Sequence, residues 1–431
     1  MTAASTLSSG QRQRWIIWSA FALVLLVAPL VFPGDLGLSM LCQIGIAIIA
    51  CLSYNVLLGQ GGMLSFGHAV YTGLGAFVAM HALNAFSDGK PSAAAVMLLP
   101  LVGGLAGLFF AALLGYVTTK KSGTTFAMIT LGIGELVFAM SLMIPEFFGG
   151  EGGVSGNRMA EPLLGITFGP QRQVYYLIAV YTFLSVAALY AFTRTPLGRM
   201  LNAVRDNPER VEFVGYNAQR VRYRAFLVAG FFAGISGGLA ALNFEIVTAE
   251  VVGAARSGGY LLFTFLGGAT FFFGPIIGAV LMVLAAVLFS EITKAWLLYL
   301  GLIFMFMVMY APGGIASLVM MNVRIAAFGR LRELLPHYLA MALAALVALL
   351  GFSALIEMIY HRQLEGASGG ALGFLGMTLD TGNALHWLAA AVVAAIGVGL
   401  FEWARRRFQV RWNAVQEAIE QATRQRQEAG A

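Results

Sequence analysis

The residues most able to do chemistry are few. Glu135 lies in Thr130-Leu-Gly-Ile-Gly-Glu135-Leu-Val, deep inside an apolar run. If that run is a spanning helix, a charge at its centre costs about 2.5–3.5 kcal/mol, so the carboxyl must face protein or water. Two readings stay open for it: a polar group on a path through the bilayer, or a carboxyl that ties helices together through a backbone or hydroxyl partner. His68, in Ser65-Phe-Gly-His68, invites the same pair of readings. Ser65, His68, Thr130 and Glu135 are therefore the candidates for a translocation path or for helix packing.

Other chemistries lack their residues. The five histidines, at positions 68, 81, 337, 361 and 386, show no HExxH spacing and stand beside no cysteine pair, so no metal or other cofactor is expected. No GxxxxGK[ST] loop occurs; Gly89-Lys-Pro-Ser92 is the nearest approach, and it lacks the spacing that cradles phosphate. The chain is therefore not expected to be an enzyme or to bind ATP by that device. Cys42 and Cys51 share one apolar run and read as packing residues rather than as a disulfide framework.

One polar stretch is built to meet something. Between Thr193 and Arg224 stand seven arginines and three acids, flanked on both sides by apolar sequence. Its first part, Pro196-Leu-Gly-Arg-Met-Leu-Asn-Ala-Val-Arg205, has proline near a helix start and apolar Leu197, Met200, Leu201 and Val204 on one face. Such a helix lies along the membrane surface, against lipid or against a partner. Asp206, Glu209 and Glu212 weaken its attraction to anionic lipid.

The elements that must position these residues are membrane helices. Hydrophobic residues make up 59% of 431 residues before the 52 glycines are counted, and charged residues only 11%; soluble domains are nearer 45–50% apolar with glycine included. Apolar runs cover residues 15–31, 40–58, 64–83, 93–117, 124–143, 174–192, 225–242, 259–272, 276–289, 295–310, 338–359 and 385–401. The first follows Arg12 and Arg14 but is too long for a secretory signal and lacks a small-residue cleavage site. The eighth and ninth are short and meet at Gly274-Pro275, as two tilted crossings or a re-entrant pair. Threaded with the N-terminus in the cytoplasm, 20 of the 26 lysines and arginines fall inside, which predicts both termini cytoplasmic. The net charge of +6 is thus distributed by side, and nucleic acid is not an expected partner. Closely spaced glycines, as in Gly59-Gln-Gly-Gly62 and Gly103-Gly104-Leu-Ala-Gly107, let helices approach in lipid or break around a solute path.

At the arginine-rich loop the sequence resembles permeases of the branched-chain amino acid ABC importers, relatives of the urea and ribose importer permeases. The cytoplasmic signature of that family is matched by Pro196, Gly198, Arg199, Ala203, Arg205, Asn207, Gly215, Asn217, Arg222 and Ala225-Phe226. Gly59-Gln-Gly-Gly-Met-Leu-Ser-Phe-Gly-His68 with Gly73 and Gly75-Ala76-Phe77 matches upstream, and Gly267-Gly268, Gly274-Pro-Ile-Ile-Gly-Ala279 and Ala311-Pro-Gly-Gly314 match downstream, together spanning roughly residues 40 to 320. The resemblance implies an all-α polytopic protein of the bacterial inner membrane with about 10–12 transmembrane helices, its core like the ten-helix type II importers. It implies a second permease subunit, two cytoplasmic ATPase subunits and a periplasmic substrate-binding protein as partners. It also implies that the loop docks on an ATPase through the signature residues. The sequence departs from the family pattern at Glu151-Gly-Gly-Val-Ser-Gly-Asn157 and in two extra helices after Ala311-Pro-Gly-Gly314. The solute, whether a branched-chain amino acid, urea, an amide or an organic acid, stays open.

The organisation expected is a permease core over 1–323 with its coupling loop at 193–224, an extension over 324–404 with two helices, and a cytoplasmic amphipathic tail over 405–431. In the tail Phe408, Trp412, Val415, Ile419 and Ala422 recur at helical spacing, opposite Arg411, Glu417, Glu420, Arg424 and Arg426. The inner leaflet is the expected surface for that face, with an ATPase or the paired permease as the alternative. Two other classes compete with an ATP-driven permease: an ion-coupled secondary transporter, for which Glu135 alone is thin support, and a membrane scaffold that transports nothing.

Overall fold

The computed structural model describes residues 9–85, 91–162, 165–311, 313–365, 372–374 and 377–428. Gly89, Lys90 and Pro312 lie outside these stretches, as do the side chains of Ala422 and Arg426. The chain is helical nearly throughout, as a backbone in lipid must be to satisfy its own hydrogen bonds. Among the described residues eight helices are long and apolar enough to cross a membrane, or nine if α14 and α15 below make one span.

In order the helices are α1 (Ser9–Val31), α2 (Asp35–Asn55), α3 (Ala69–Ala85), α4 (Ala93–Thr118), α5 (Gly123–Met143), α6 (Pro145–Phe148), α7 (Gln171–Arg194), α8 (Pro196–Asp206), α9 (Pro208–Phe213), α10 (Ala218–Phe244), α11 (Ala254–Gly267), α12 (Gly274–Leu284), α13 (Ser290–Ile292), α14 (Trp296–Tyr310), α15 (Gly314–Ala327), α16 (Leu331–Glu365) and α17 (Ala384–Glu428). Two short antiparallel pairs join them: β1 (Val154–Ser155) with β2 (Ile246–Val247), and β3 (Leu372–Phe374) with β4 (Met377–Leu379). The chain forms two compact units, one from the residues up to Val287 with Phe304–Ala316, the other from Leu288–Ile303 with the chain from Ser317 onward.

The first unit is organised around α10 and α2. The α10 span is 72% buried, whereas α1 is 6% buried and presents its side chains outward. Packing in lipid depends on close van der Waals contact, and glycine permits it here: a Cβ on Gly75 of α3 would sit 2.7 Å from the Cα of Gly234 in α10. Hydroxyls bind the rest, Ser236 donating to the Ile46 carbonyl at 3.0 Å and Thr182 to the Gly45 carbonyl at 3.2 Å. The two short runs flanking Gly274-Pro275 become α11 and α12, which pack on each other as a helical pair closed by Gly267 and Gly278.

Two expectations change within this unit. The run expected to be helical from residue 64 starts its helix only at Ala69. Before it, α2 ends in a π-helical turn, Val56–Gln60, and residues 61–68 form a non-helical break with Gly62 at φ +63°. The glycine cluster at 59–62 thus ends a helix as well as allowing close packing. On the opposite end of the bundle Arg158, counted from sequence only as a loop charge, is buried. Its guanidinium donates to the carbonyls of Phe168 (3.0 Å), Leu242 (3.0 Å) and Asn243 (2.9 Å) and to Gln171 Oε1 (3.0 Å), and it sits 3.8 Å from Glu245. Arg158 therefore satisfies carbonyls at the C-terminal end of α10, where a cation is favoured, and pins the 145–170 loop to it.

The second unit centres on α16 and α17, antiparallel neighbours that meet where Gly351 faces Ala394 and Gly397 faces Ala348, each glycine leaving 2.8 Å to the alanine Cβ for an added methyl. Glu357 of α16, passed over in the sequence, accepts hydrogen bonds from the hydroxyls of Thr293 and, at 3.3 Å, Tyr299. The tail is no separate element: α17 runs unbroken from the last apolar run to Glu428. Its apolar face does not await the inner leaflet. Val415 and Ile419 are buried against Ile325 and Leu334, with Phe328, Leu331 and Tyr338 around them and Phe408 and Trp412 packed alongside. The spacing fixed the face, but the surface covering it is this chain's own α15 and α16.

Candidate functional site

The polar loop between α7 and α10 folds as two short helices, and most of the signature residues have a local task. Thr195 caps α8, its Oγ1 accepting from the Gly198 amide at 3.2 Å and donating to the Phe192 carbonyl at 2.6 Å, with Pro196 at the first helical position. Gly198 is buried where α7 turns into α8; a Cβ there would meet the Thr193 Cα at 2.9 Å and the Phe192 carbonyl closer still. Asn207 caps α9 by accepting from the Arg210 amide at 3.0 Å, and Asn217 caps α10 by accepting from the Arg220 amide at 2.9 Å. Gly215 between them has φ +90°, a conformation that costs other residues strain. Arg222 is half-buried in the first turns of α10.

What remains outward is a surface. Arg199 and Ala203 are exposed on α8, and Phe213, Val214 and Tyr216 follow at 89%, 75% and 51% exposure. Two clefts lie on this face. One, of about 410 Å³, is lined by Met200, Ala203, Asn207 and Val214 among others. The other, of about 380 Å³, is lined by Arg194, Pro196, Arg199, Met200 and Ala203. Met200 and Ala203 border both. Phe213, Val214 and Tyr216 belong to this surface, and their signal in the sequence was the unpaired apolar group beside Gly215.

Arg205 points the other way. Its guanidinium donates to the Gly59 carbonyl and pairs with Asp206 at 3.0 Å. Its Cγ covers Gly62, where a Cβ would lie 2.7 Å away, and Leu201 beside it lies over Gly61. The α8 helix is thereby seated on the π-helical turn and on the break that follows it.

That break holds two of the four candidate path residues and touches a third. His68 is fully buried, its Nε2 2.9 Å from Ser53 Oγ. The Ser53 hydroxyl also donates to the Ala50 carbonyl at 2.8 Å, and His68 Nδ1 has no partner among the described residues. Ser65 is buried beside it, its carbonyl accepting from Tyr54 Oη at 2.9 Å. Thr130 Oγ1 accepts from the Phe66 amide at 3.1 Å and donates to the Ala127 carbonyl at 2.9 Å, fastening α5 to the break. Ser65, His68 and Thr130 thus come together inside one bundle. Glu135 does not join them: it is exposed on the opposite side of α5, uncovered by its own chain.

Known proteins resemble this chain over about two thirds of its length. The family described as "Branched-chain amino acid transport system / permease component" matches residues 37–312. The chain is 28% identical over 324 residues to the high-affinity branched-chain amino acid transport system permease protein LivM of Salmonella typhimurium, covering 68% of this chain and 74% of that one. It is 28% identical over 327 residues to LivM of Escherichia coli, with the same coverage. To the guanosine ABC transporter permease protein NupQ of Bacillus subtilis it is 26% identical over 204 residues, 43% of this chain and 61% of that one. No solved structure matches it significantly. The matched stretch takes in the capped α8–α9 element, the helix break and α5, and the chain belongs to the family of branched-chain amino acid transport permease components.

Proposed function

We propose that this permease is the membrane subunit of an ATP-driven importer for branched-chain amino acids or similar small polar solutes. ATPase subunits and a solute-binding protein are the partners such a permease requires; a second permease subunit would complete the path and two ATPases would drive it. The observation that carries this reading is the contact of Arg205 with Gly59 and Gly62. The outward face of α8 and α9 is free for an ATPase, and the inward face of α8 is bonded to the break in the α2–α3 pair. Closure of the ATPases would push α8, α8 would move the π-helical turn, and Phe66 would carry the displacement to α5 through Thr130. The signature residues act in this scheme chiefly by shaping the element, with Arg199 and Ala203 left to meet the partner. Both termini and α8–α9 lie in the cytoplasm, and the Arg158-pinned loop lies outside.

The test is uptake by vesicles holding the permease with its ATPases and binding protein. Uptake should require internal ATP and survive collapse of the proton gradient. Uptake that follows the proton gradient with ATP depleted would make the chain an ion-coupled transporter, and failure of any ATPase to co-purify would favour a scaffold.

A further inference from the structure

Three of the four candidate path residues are engaged within the bundle, and the fourth stands alone. Glu135 is the thirteenth residue of the 21 in α5, close to mid-depth of that span. Phe126, Ala127, Thr130, Gly134, Val137 and Ser141 make the buried face of the helix. Opposite them Thr125, Met128, Gly132, Glu135, Ala139 and Leu142 are all exposed and recur at steps of three and four, one continuous stripe about 26 Å long by the helical rise. Among the described residues nothing approaches a Cβ built on Gly132, and Glu135 has neither ion pair nor hydrogen bond. A carboxylate at this depth against lipid is costly. Packed dry against another protein it would need a buried partner of opposite charge. Its nearest neighbours along the stripe, Gly132 and Ala139, are small, so room is left beside the carboxylate between the bulkier Met128, Leu136 and Leu142.

We propose that this stripe of α5 is a wall of the water-filled solute path, and that the Glu135 carboxylate recognises the ammonium group of an amino acid passing along it. The inference rests on the importer reading above and adds where the path runs and which solute group it selects. The path lies outside the single bundle, on the α5 face away from Ser65 and His68, and is closed by the second permease subunit. The same helix receives the movement of α8 through Thr130, so the wall and the drive are two faces of one element.

The experiment uses the full importer in vesicles, with single cysteines replacing Met128, Gly132 or Ala139 and, as a lipid-facing control, Leu23 of α1. Membrane-impermeant methanethiosulfonates, one carrying a trimethylammonium and one a sulfonate, probe each position. The α5 cysteines should react at least tenfold faster than that at position 23. The cationic reagent should be favoured at positions 132 and 139, that preference should fall at least fivefold when Glu135→Gln is added, and leucine should slow the labelling. Labelling no faster than at position 23, or a cation preference unchanged by Glu135→Gln, would overturn the proposal. ATP-dependent leucine uptake by the parent importer is measured in the same vesicles. Its loss would remove the importer reading, whereas uptake with unreactive α5 cysteines would remove only the assignment of the wall.

Discussion

The Arg205 guanidinium donates to the backbone carbonyl of Gly59, so a side chain of helix α8 is bonded to the π-helical turn that ends α2. The last carbonyls of a helix lack partners within it, and a fork of donors is suited to one of them. Lysine would keep the charge but not the planar fork. Arg205→Lys and Arg205→Ala should both leave the ATPases bound while solute moved per ATP hydrolysed falls at least tenfold, the alanine variant further. Parallel measurement of hydrolysis and uptake in vesicles checks this; an unchanged ratio in both would remove Arg205 from the coupling route.

Gly198 is a position where only hydrogen fits. The atoms that a Cβ would strike belong to the backbone of Phe192 and Thr193, which cannot rotate away. Gly198→Val should swing α8 off the end of α7, reducing ATPase recovered with the permease severalfold while the chain still inserts. Co-purification read against membrane-inserted protein separates the two effects.

The 145–170 loop should depend on one residue. Arg158→Met removes donors from the carbonyls of Phe168, Leu242 and Asn243, and leaving such groups unpaired costs roughly 1–3 kcal/mol each before relaxation and entry of water. Protease cleavage between residues 145 and 170 should rise at least tenfold from outside the cell, with a lowered melting temperature in detergent. A loop as resistant as the parent's would mean that Arg158 is replaceable.

The tail gives a prediction that separates the observed packing from a partner contact. Ile419 is 1% exposed against Ile325 and Leu334, and truncating a buried side chain of that size costs about 2–5 kcal/mol. Trp412→Ser with Ile419→Ser should open the end of α17 to protease without reducing ATPase recovered. A fall in recovered ATPase would instead mark this face as a partner contact.

How far the sequence could be read differs from element to element. The spanning helices were legible because apolar runs have no other home, and the α8 face because proline and the spacing of Leu197, Leu201 and Val204 set it. The helix break was not: Leu64 to Leu83 reads as one apolar run, and only the packing of Gly59 and Gly62 against Ala269 and Arg205 shows where the helix must end. The direction of Glu135 was also hidden, since hydropathy gives depth and not azimuth. For the tail the reverse held, the azimuth being plain from Phe408 to Ile419 while the covering surface was set by residues some 70 or more positions earlier. Arg158 gave no signal at all, because an arginine that binds carbonyls through the fold looks in sequence like any loop charge.

The unbroken course of α17 also makes it a lever. Its 45 residues span about 68 Å at the helical rise, against about 30 Å of hydrocarbon, so more than half of it would stand clear of a bilayer that it crosses, without a hinge. A tilt of ten degrees at the membrane surface would carry the last turn through about 6 Å. A fluorophore near Glu428 would then act as an optical pointer, magnifying into a resolvable sweep a rotation of the second unit too small to detect inside the lipid.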